Sequence, residues 1–173
     1  MSTYKNCKNG CCTYETRPYS RCEFTPRNKH KAGVFIFDKN LNKILLVQSR
    51  GNLWGSPKGS IEPDESIIEC ALREVFEETG ISIIHSPAYS LTPEPGSISD
   101  SNKFIFNDSH YFYCDLNQCS ISLDSPMISN DINDASGIGW FSIPCLIDLI
   151  KSDKIFINFH CKLLLEYFLK IDI

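Results

Sequence analysis

The chain has 173 residues, 42% of them hydrophobic, and a formal net charge of −4. That length suits one domain with an appended element, and the acidic balance argues against gripping nucleic acid by bulk electrostatics, so DNA is not expected as a partner. No apolar run reaches the length of a bilayer span, and the opening MSTYKNCKNGCC lacks a hydrophobic stretch like a secretory signal; the expectation is a cytoplasmic, intracellular protein with no membrane partner.

Residues 1–30 are polar and cysteine-rich without apolar periodicity, and are set apart as a segment preceding a domain over 31–173. An odd total of nine cysteines, scattered along an intracellular chain, reads as thiols rather than a disulfide framework. Cys7, Cys11, Cys12 and Cys22, with His30 downstream, have the residue types of a zinc site. Their spacing is not that of a zinc ribbon, and adjacent Cys11 and Cys12 are hard to turn inward together, so ordinary thiols are the favoured reading. Arg27, Lys29, His30 and Lys31 form a short basic run, equally readable as a solvated linker.

The apolar runs 32–38 (AGVFIFD) and Lys43–Gln48 (KILLVQ), separated by KNLN, predict a hairpin. A Gly-rich loop over 50–58 leads to a predicted helix over 66–79, then a β-branched strand over 82–86. Residues 92–103, with two prolines and no apolar pattern, read as a loop. The aromatic run 104–116 predicts a strand broken near Asn107-Asp108. A second long loop covers 125–136, a strand covers Gly137–Ser142, and helices are predicted over Ile143–Lys151 and 158–170. Cys70, Cys114 and Cys161 lie in apolar patterns and are assigned to the core. Strands on both sides of a loop and helix predict a mixed sheet covered by helices.

The segment 59–81, GSIEPDESIIECALREVFEETGI, carries the chemistry. Pro63 precedes the helix, Asp64 or Ser66 can cap it, and Gly80 ends it. Ile68, Ala71, Leu72, Val75 and Thr79 recur at helical spacing and form a buried face. At about 100° per residue, Glu77 and Glu78 fall roughly 60° to one side of Glu74 and roughly 40° to the other. Three carboxylates on one face repel one another, and hard cations, which take oxygen ligands, are the simplest reason to keep them together. The bland alternative is a solvated acidic helix face.

This pattern resembles the signature of the Nudix hydrolases: Gly59, Glu65, Arg73, Glu74, Val75, Glu77, Glu78, Gly80 and Ile81 fill its defined positions. The resemblance implies an α/β/α sandwich with a curved mixed sheet, and hydrolysis of a pyrophosphate bond in a nucleoside diphosphate linked to another moiety. It implies Mg²⁺ or Mn²⁺ held by Glu74, Glu77 and Glu78, with the Gly59 carbonyl as a further ligand. Arg73 would orient the acidic side chains, and Glu65 would support the loop or reach the metal through water. Glu77 is one candidate for the general base. Asp134, in NDINDASGIGWFS six residues before Trp140, is a second, with Asp131 as its rival and a turn residue as the plain alternative.

The run Trp54-Gly55-Ser56-Pro57-Lys58-Gly59, continued by Cys70, Ala71, Val75, Phe76 and Thr79, resembles the messenger-RNA decapping branch of that family. Ser56 departs from it, since an aromatic is usual there. The resemblance implies capped RNA as substrate. Lys58 would point a cation at the polyphosphate, Trp54 or Tyr111 would stack on the cap guanine, and Arg27, Lys29, Lys31 and Arg50 would help hold the RNA. Two departures stand against it: such enzymes usually carry an N-terminal helical regulatory domain where this sequence has residues 1–30 without periodicity, and the C-terminal NFHCKLLLEYFLKIDI is apolar rather than basic. The alternatives are a small nucleoside polyphosphate such as a diadenosine polyphosphate, a diphosphoinositol polyphosphate, or a catalytically silent binding module. Protein partners are not indicated.

Overall fold

The computed structural model describes residues 3–7, 9–16, 30–40, 42–85, 97–100, 103–116, 135, 137–170 and 172–173. Strands β1 (Thr3–Asn6) and β2 (Thr13–Thr16) form an N-terminal hairpin. β3 (Lys31–Asp38) and β4 (Lys43–Gln48) follow, then the short β5 (Trp54–Gly55) and β6 (Lys58–Ser60) before helix α1 (Ile67–Thr79). After two-residue strands β7 (Ile84–His85) and β8 (Ser97–Ile98) come β9 (Lys103–Phe106), β10 (Ser109–Asp115) and β11 (Gly137–Ser142). Helices α2 (Ile143–Lys151) and α3 (Phe159–Leu169) close the described chain.

The main sheet runs β1-β2-β11-β4-β3-β10-β9, with β5 on β4 and β6 on β3. β10 pairs with β3 in parallel and the other pairings in this sheet are antiparallel, so it is mixed, as predicted. β3 is buried on both faces, which is why KAGVFIFD reads as a near-continuous apolar run. Alternation splits its residues between two cores. Ala32, Val34 and Ile36 face α1 with Val47, Phe112 and Trp140; Phe35 and Phe37 join Trp54, Tyr111, Phe141, Leu146 and Leu164 beneath α2 and α3. The result is helix, sheet, helix. No described helix is long and apolar enough to cross a membrane.

Three features depart from the sequence reading. The segment 1–30 lacks apolar periodicity, yet its hairpin extends the main sheet: Thr13 and Tyr14 of β2 pair with Trp140 and Gly139 of β11. Two four-residue strands are too short to show a period, and among the described residues Cys12 and Tyr14 anchor the hairpin in the core. The predicted loop over 92–103 contains β8, which pairs with β7 and buries Ile98. The break expected at Asn107-Asp108 is present: it is a hairpin turn in which both residues take positive φ, the backbone of a tight turn that matches strand twist. β5 and β6 form in and beside the Gly-rich loop expected over 50–58; the other strands and helices fall within one or two residues of their predicted ends, and Cys70, Cys114 and Cys161 are fully buried.

Candidate active site

Helix α1 is fixed at both ends. Ser66 accepts the Glu69 N–H at 3.2 Å while Glu69 accepts the Ser66 N–H at 2.8 Å, a reciprocal cap. Gly80 adopts φ 72° and donates its N–H to the Phe76 carbonyl, a left-handed stop that favours glycine. Cys70, Ala71 and Val75 are buried against the sheet, with Ile68 and Leu72 packed beside them. The face bearing the carboxylates is therefore mounted on a helix that cannot readily roll.

The three carboxylates meet different surroundings. Glu77 is half exposed, at 52% of its side chain, whereas Glu74 keeps 13%. Glu78 is buried, and its Oε2 accepts the Lys58 backbone N–H at 2.9 Å. Burial pushes the Glu74 carboxyl above the ordinary glutamate value, against the pull of Arg73. Gly59, on β6 beside Ala32 of β3, lies directly under Glu74: a Cβ there would overlap the carboxylate.

Arg73 ties the acidic groups together. Its Nε and Nη2 reach the two oxygens of Glu65 at 2.7 and 3.0 Å, a bidentate pair. Nη1 donates to Glu74 at 2.8 Å and to Glu77 at 3.0 Å, and Nη2 also donates to the Ser60 carbonyl at 3.2 Å. The guanidinium holds Glu65 well below the usual carboxylate range. Glu65 further accepts the Glu62 N–H at 3.1 Å, so the loop before α1 is pinned to the helix.

Three carboxylates and the nearby Gly59 carbonyl form an all-oxygen donor set suited to a hard divalent cation. The partly buried, electrostatically penalised Glu74 and the glycine that makes room for it fit such an ion. Among the described residues, the compact group of potential metal ligands is instead a cysteine group near α2. The α1 carboxylates are spread onto Arg73 and the Lys58 N–H, so gathering them on a cation requires side-chain rotation, not movement of the helix.

Other expected site residues lie elsewhere. Trp54 and Tyr111 were candidates for stacking on a guanine, but each is only 1% exposed. Trp54 packs edge-on to Tyr14 and Phe141, and Tyr111 hydroxyl meets His160 Nδ1 at 2.8 Å. Both rings are core, because the strands carrying them are covered by α3, and neither offers a face to a base. Lys58 alternates with Gly59, so its side chain leaves the strand on the α3 face. Its Cβ lies beside Gly33, and its charge acts on His160 and Cys161. Part of the residue is exposed, but burial of the ammonium lowers its pKa, with Glu78 opposing. What Lys58 gives the acidic face is its backbone N–H. The Arg50 side chain and residues Arg27, Lys29, Asp131 and Asp134 lie outside the described residues. Sequence reasoning missed the Ser60 carbonyl and the Lys58 N–H, since main-chain partners leave no residue-type signal.

Comparison with known proteins agrees with this geometry. A family model of the NUDIX domain matches residues 27–154. A protein of Invertebrate iridescent virus 3 described as hydrolase 111R is 34% identical over 168 residues, covering 90% of this chain and 88% of that protein. The m7GpppN-mRNA hydrolase of Saccharomyces cerevisiae is 48% identical over 52 residues, but these are 30% of this chain and 5% of that protein. Among solved structures, a NUDIX-family hydrolase from Clostridium perfringens superposes with a TM-score of 0.52 at 20% identity, covering 83% of this chain and 98% of that one, which supports the fold. The chain belongs to the Nudix hydrolases and is a Nudix pyrophosphohydrolase.

Proposed function

We propose that this chain hydrolyses the pyrophosphate linkage of the messenger-RNA 5′ cap, using Mg²⁺ or Mn²⁺ bound at Glu74, Glu77, Glu78 and the Gly59 carbonyl. The observation that carries the reading is local. The run Trp54 to Gly80 joins the Pro-Lys-Gly approach strand to the acidic helix, and the similarity to the yeast m7GpppN-mRNA hydrolase reaches 48% over 52 residues. The bound cation would neutralise charge on the phosphate oxygens and activate a water. Arg73 positions Glu74 and Glu77 through its Nη1, and Glu65 positions Arg73. Half-exposed Glu77 and Asp134 are the two candidates for taking the proton from water.

A second reading, a small nucleoside polyphosphate substrate, is favoured by α3. That helix buries Cys161, Leu164 and Leu165 in the core, and so acts as a packing helix rather than a basic arm for an RNA body. The test compares kcat/KM for capped RNA, cap dinucleotide and diadenosine tetraphosphate across a salt series. Decapping predicts strong preference for capped RNA, products of 7-methylguanosine diphosphate and 5′-monophosphate RNA, and a preference that falls with salt by a log–log slope of about −0.7 per phosphate contact. Equal hydrolysis of the small substrates at every salt concentration contradicts decapping and leaves the pyrophosphohydrolase.

A further inference from the structure

The sheet edge away from α1 carries a second cluster of potential ligands, unrelated to the acidic helix. The β1–β2 register pairs Asn6 with Thr13, which sets Cys7 opposite Cys12 at the end of the hairpin. The Cys7 N–H donates to the Cys12 carbonyl at 3.4 Å, and the Gly10 N–H to the Cys7 carbonyl at 2.9 Å. Gly10 takes φ 65°, so the chain doubles back within four residues and returns Cys11 to the same side. Cys7 and Cys11 sulfurs stand 3.2 Å apart, and Cys11 and Cys12 sulfurs 3.9 Å. The fourth member comes from far along the chain: Cys145 lies in the first turn of α2. The ligand atoms of Cys7, Cys11, Cys12 and Cys145 all lie within 4.8 Å of one another.

We infer that Cys7, Cys11, Cys12 and Cys145 form a structural zinc site that clamps the N-terminal hairpin to the start of α2. Four thiolates at about 2.3 Å from one tetrahedral ion stand about 3.8 Å apart, and the separations here, 3.2 and 3.9 Å with all four sulfurs within 4.8 Å, bracket that value. Thiolate sulfur selects zinc over the hard cations that suit the α1 carboxylates, so the two sites take different metals. The Ser142 N–H donates to the Cys12 sulfur at 3.3 Å, a bond that holds this sulfur toward the start of α2. All four sulfurs come from the protein, so no position is left for a substrate, the mark of a structural rather than a catalytic zinc. The hairpin also has reason to need a clamp: it is a sheet edge of two four-residue strands, and isolated hairpins are marginal in water.

His30, set beside Cys7, Cys11 and Cys12 by the sequence, is not in the cluster. Cys22 lies outside the described residues, and His30 sits at the start of β3, where its carbonyl accepts the Ile61 N–H. Adjacent Cys11 and Cys12 both contribute because the Gly10 turn lies just before them. Cys145 carries no local signal, being more than a hundred residues away in sequence.

The test is Co²⁺ titration of the reduced, metal-stripped full-length protein, with zinc content measured on the protein as purified. The expected result is about one tightly held zinc per chain, and strong thiolate-to-cobalt charge-transfer bands that saturate at one equivalent and vanish when Zn²⁺ displaces Co²⁺. Cobalt at the carboxylates gives no such bands. Cys11→Ser and Cys145→Ser, both at partly buried positions, should weaken zinc binding at least about 10-fold while Mn²⁺ binding at the acidic helix persists. Absence of thiolate bands in the wild-type protein overturns the proposal, as does a native mass lowered by disulfide formation among these cysteines under reducing conditions.

Discussion

Glu74 rests against the α-carbon of Gly59, so close that any side chain at Gly59 would overlap its carboxylate. This contact joins β6 to α1 and holds the proposed carbonyl ligand beside the proposed carboxylate ligand. Gly59→Ala must push Glu74 aside. Overpacking of this kind costs about 1–3 kcal/mol, and a misplacement of about 1 Å at a reacting centre can cost about 10²-fold in rate. The expected outcome is a large fall in kcat with a small fall in melting temperature, measured by steady-state kinetics and calorimetry.

Glu65 and Arg73 give a pH-dependent prediction. Arg73 holds the Glu65 carboxyl below its ordinary value of about 4.3. A depressed carboxyl contributes stability above its unfolded pKa and loses it as pH falls through the folded pKa. Glu65→Gln should therefore destabilise the protein by about 1–3 kcal/mol at neutral pH. The gap to wild type should stay flat above about pH 5 and shrink below about pH 4, as followed by urea denaturation at each pH. A gap that does not change across that range contradicts the pairing.

Trp54 and Tyr111 should matter for stability rather than recognition. Trp54→Ala opens a core cavity and should cost about 3–5 kcal/mol. Tyr111→Phe removes the hydroxyl that meets His160 and should cost about 1 kcal/mol. KM for capped substrate should remain near wild type in Tyr111→Phe. A selective rise in KM with unchanged stability would return that residue to the binding surface.

The proton acceptor is separated by paired variants. Glu77→Gln and Asp134→Asn are compared over a pH series, and the variant that removes the base loses about 10²–10⁴-fold in kcat and flattens the acidic limb. If Asp134→Asn leaves the profile intact, Glu77 is the base and Asp134 a turn residue.

Much of the frame was legible because local signals agreed with tertiary demands. The box helix announced its ends through Ser66 and Gly80, its core face through Ala71 and Val75, and its chemistry through three glutamates. Strands β4 and β11 and helix α2 matched apolar runs bounded by polar residues. What escaped depends on contacts far apart in sequence. The β1–β2 hairpin is specified by pairing with β11, not by its own periodicity. Trp54 stands in a Gly-rich stretch with no local apolar pattern to mark it as core. It is buried because its N–H donates to the Phe156 carbonyl and its own carbonyl accepts the Asn158 N–H, drawing the approach to α3 over it. The charge of Lys58 suggests a phosphate contact, whereas β6 pairing decides which face the side chain takes and leaves its amide for Glu78.

The central claim, that the α1 carboxylates bind the divalent cation used for pyrophosphate hydrolysis, is tested most directly at Glu78. Its burial and its bond to the Lys58 N–H make it the most fixed of the three. Glu78→Gln keeps the shape and removes a charge. The measurement is kcat on a pyrophosphate-linked nucleotide substrate as Mg²⁺ or Mn²⁺ is varied, with Mn²⁺ binding followed on the same protein. The account predicts a fall in kcat of about 10²-fold or more, weakened Mn²⁺ binding and an unchanged fold. Activity within a few-fold of wild type at every metal concentration would contradict it.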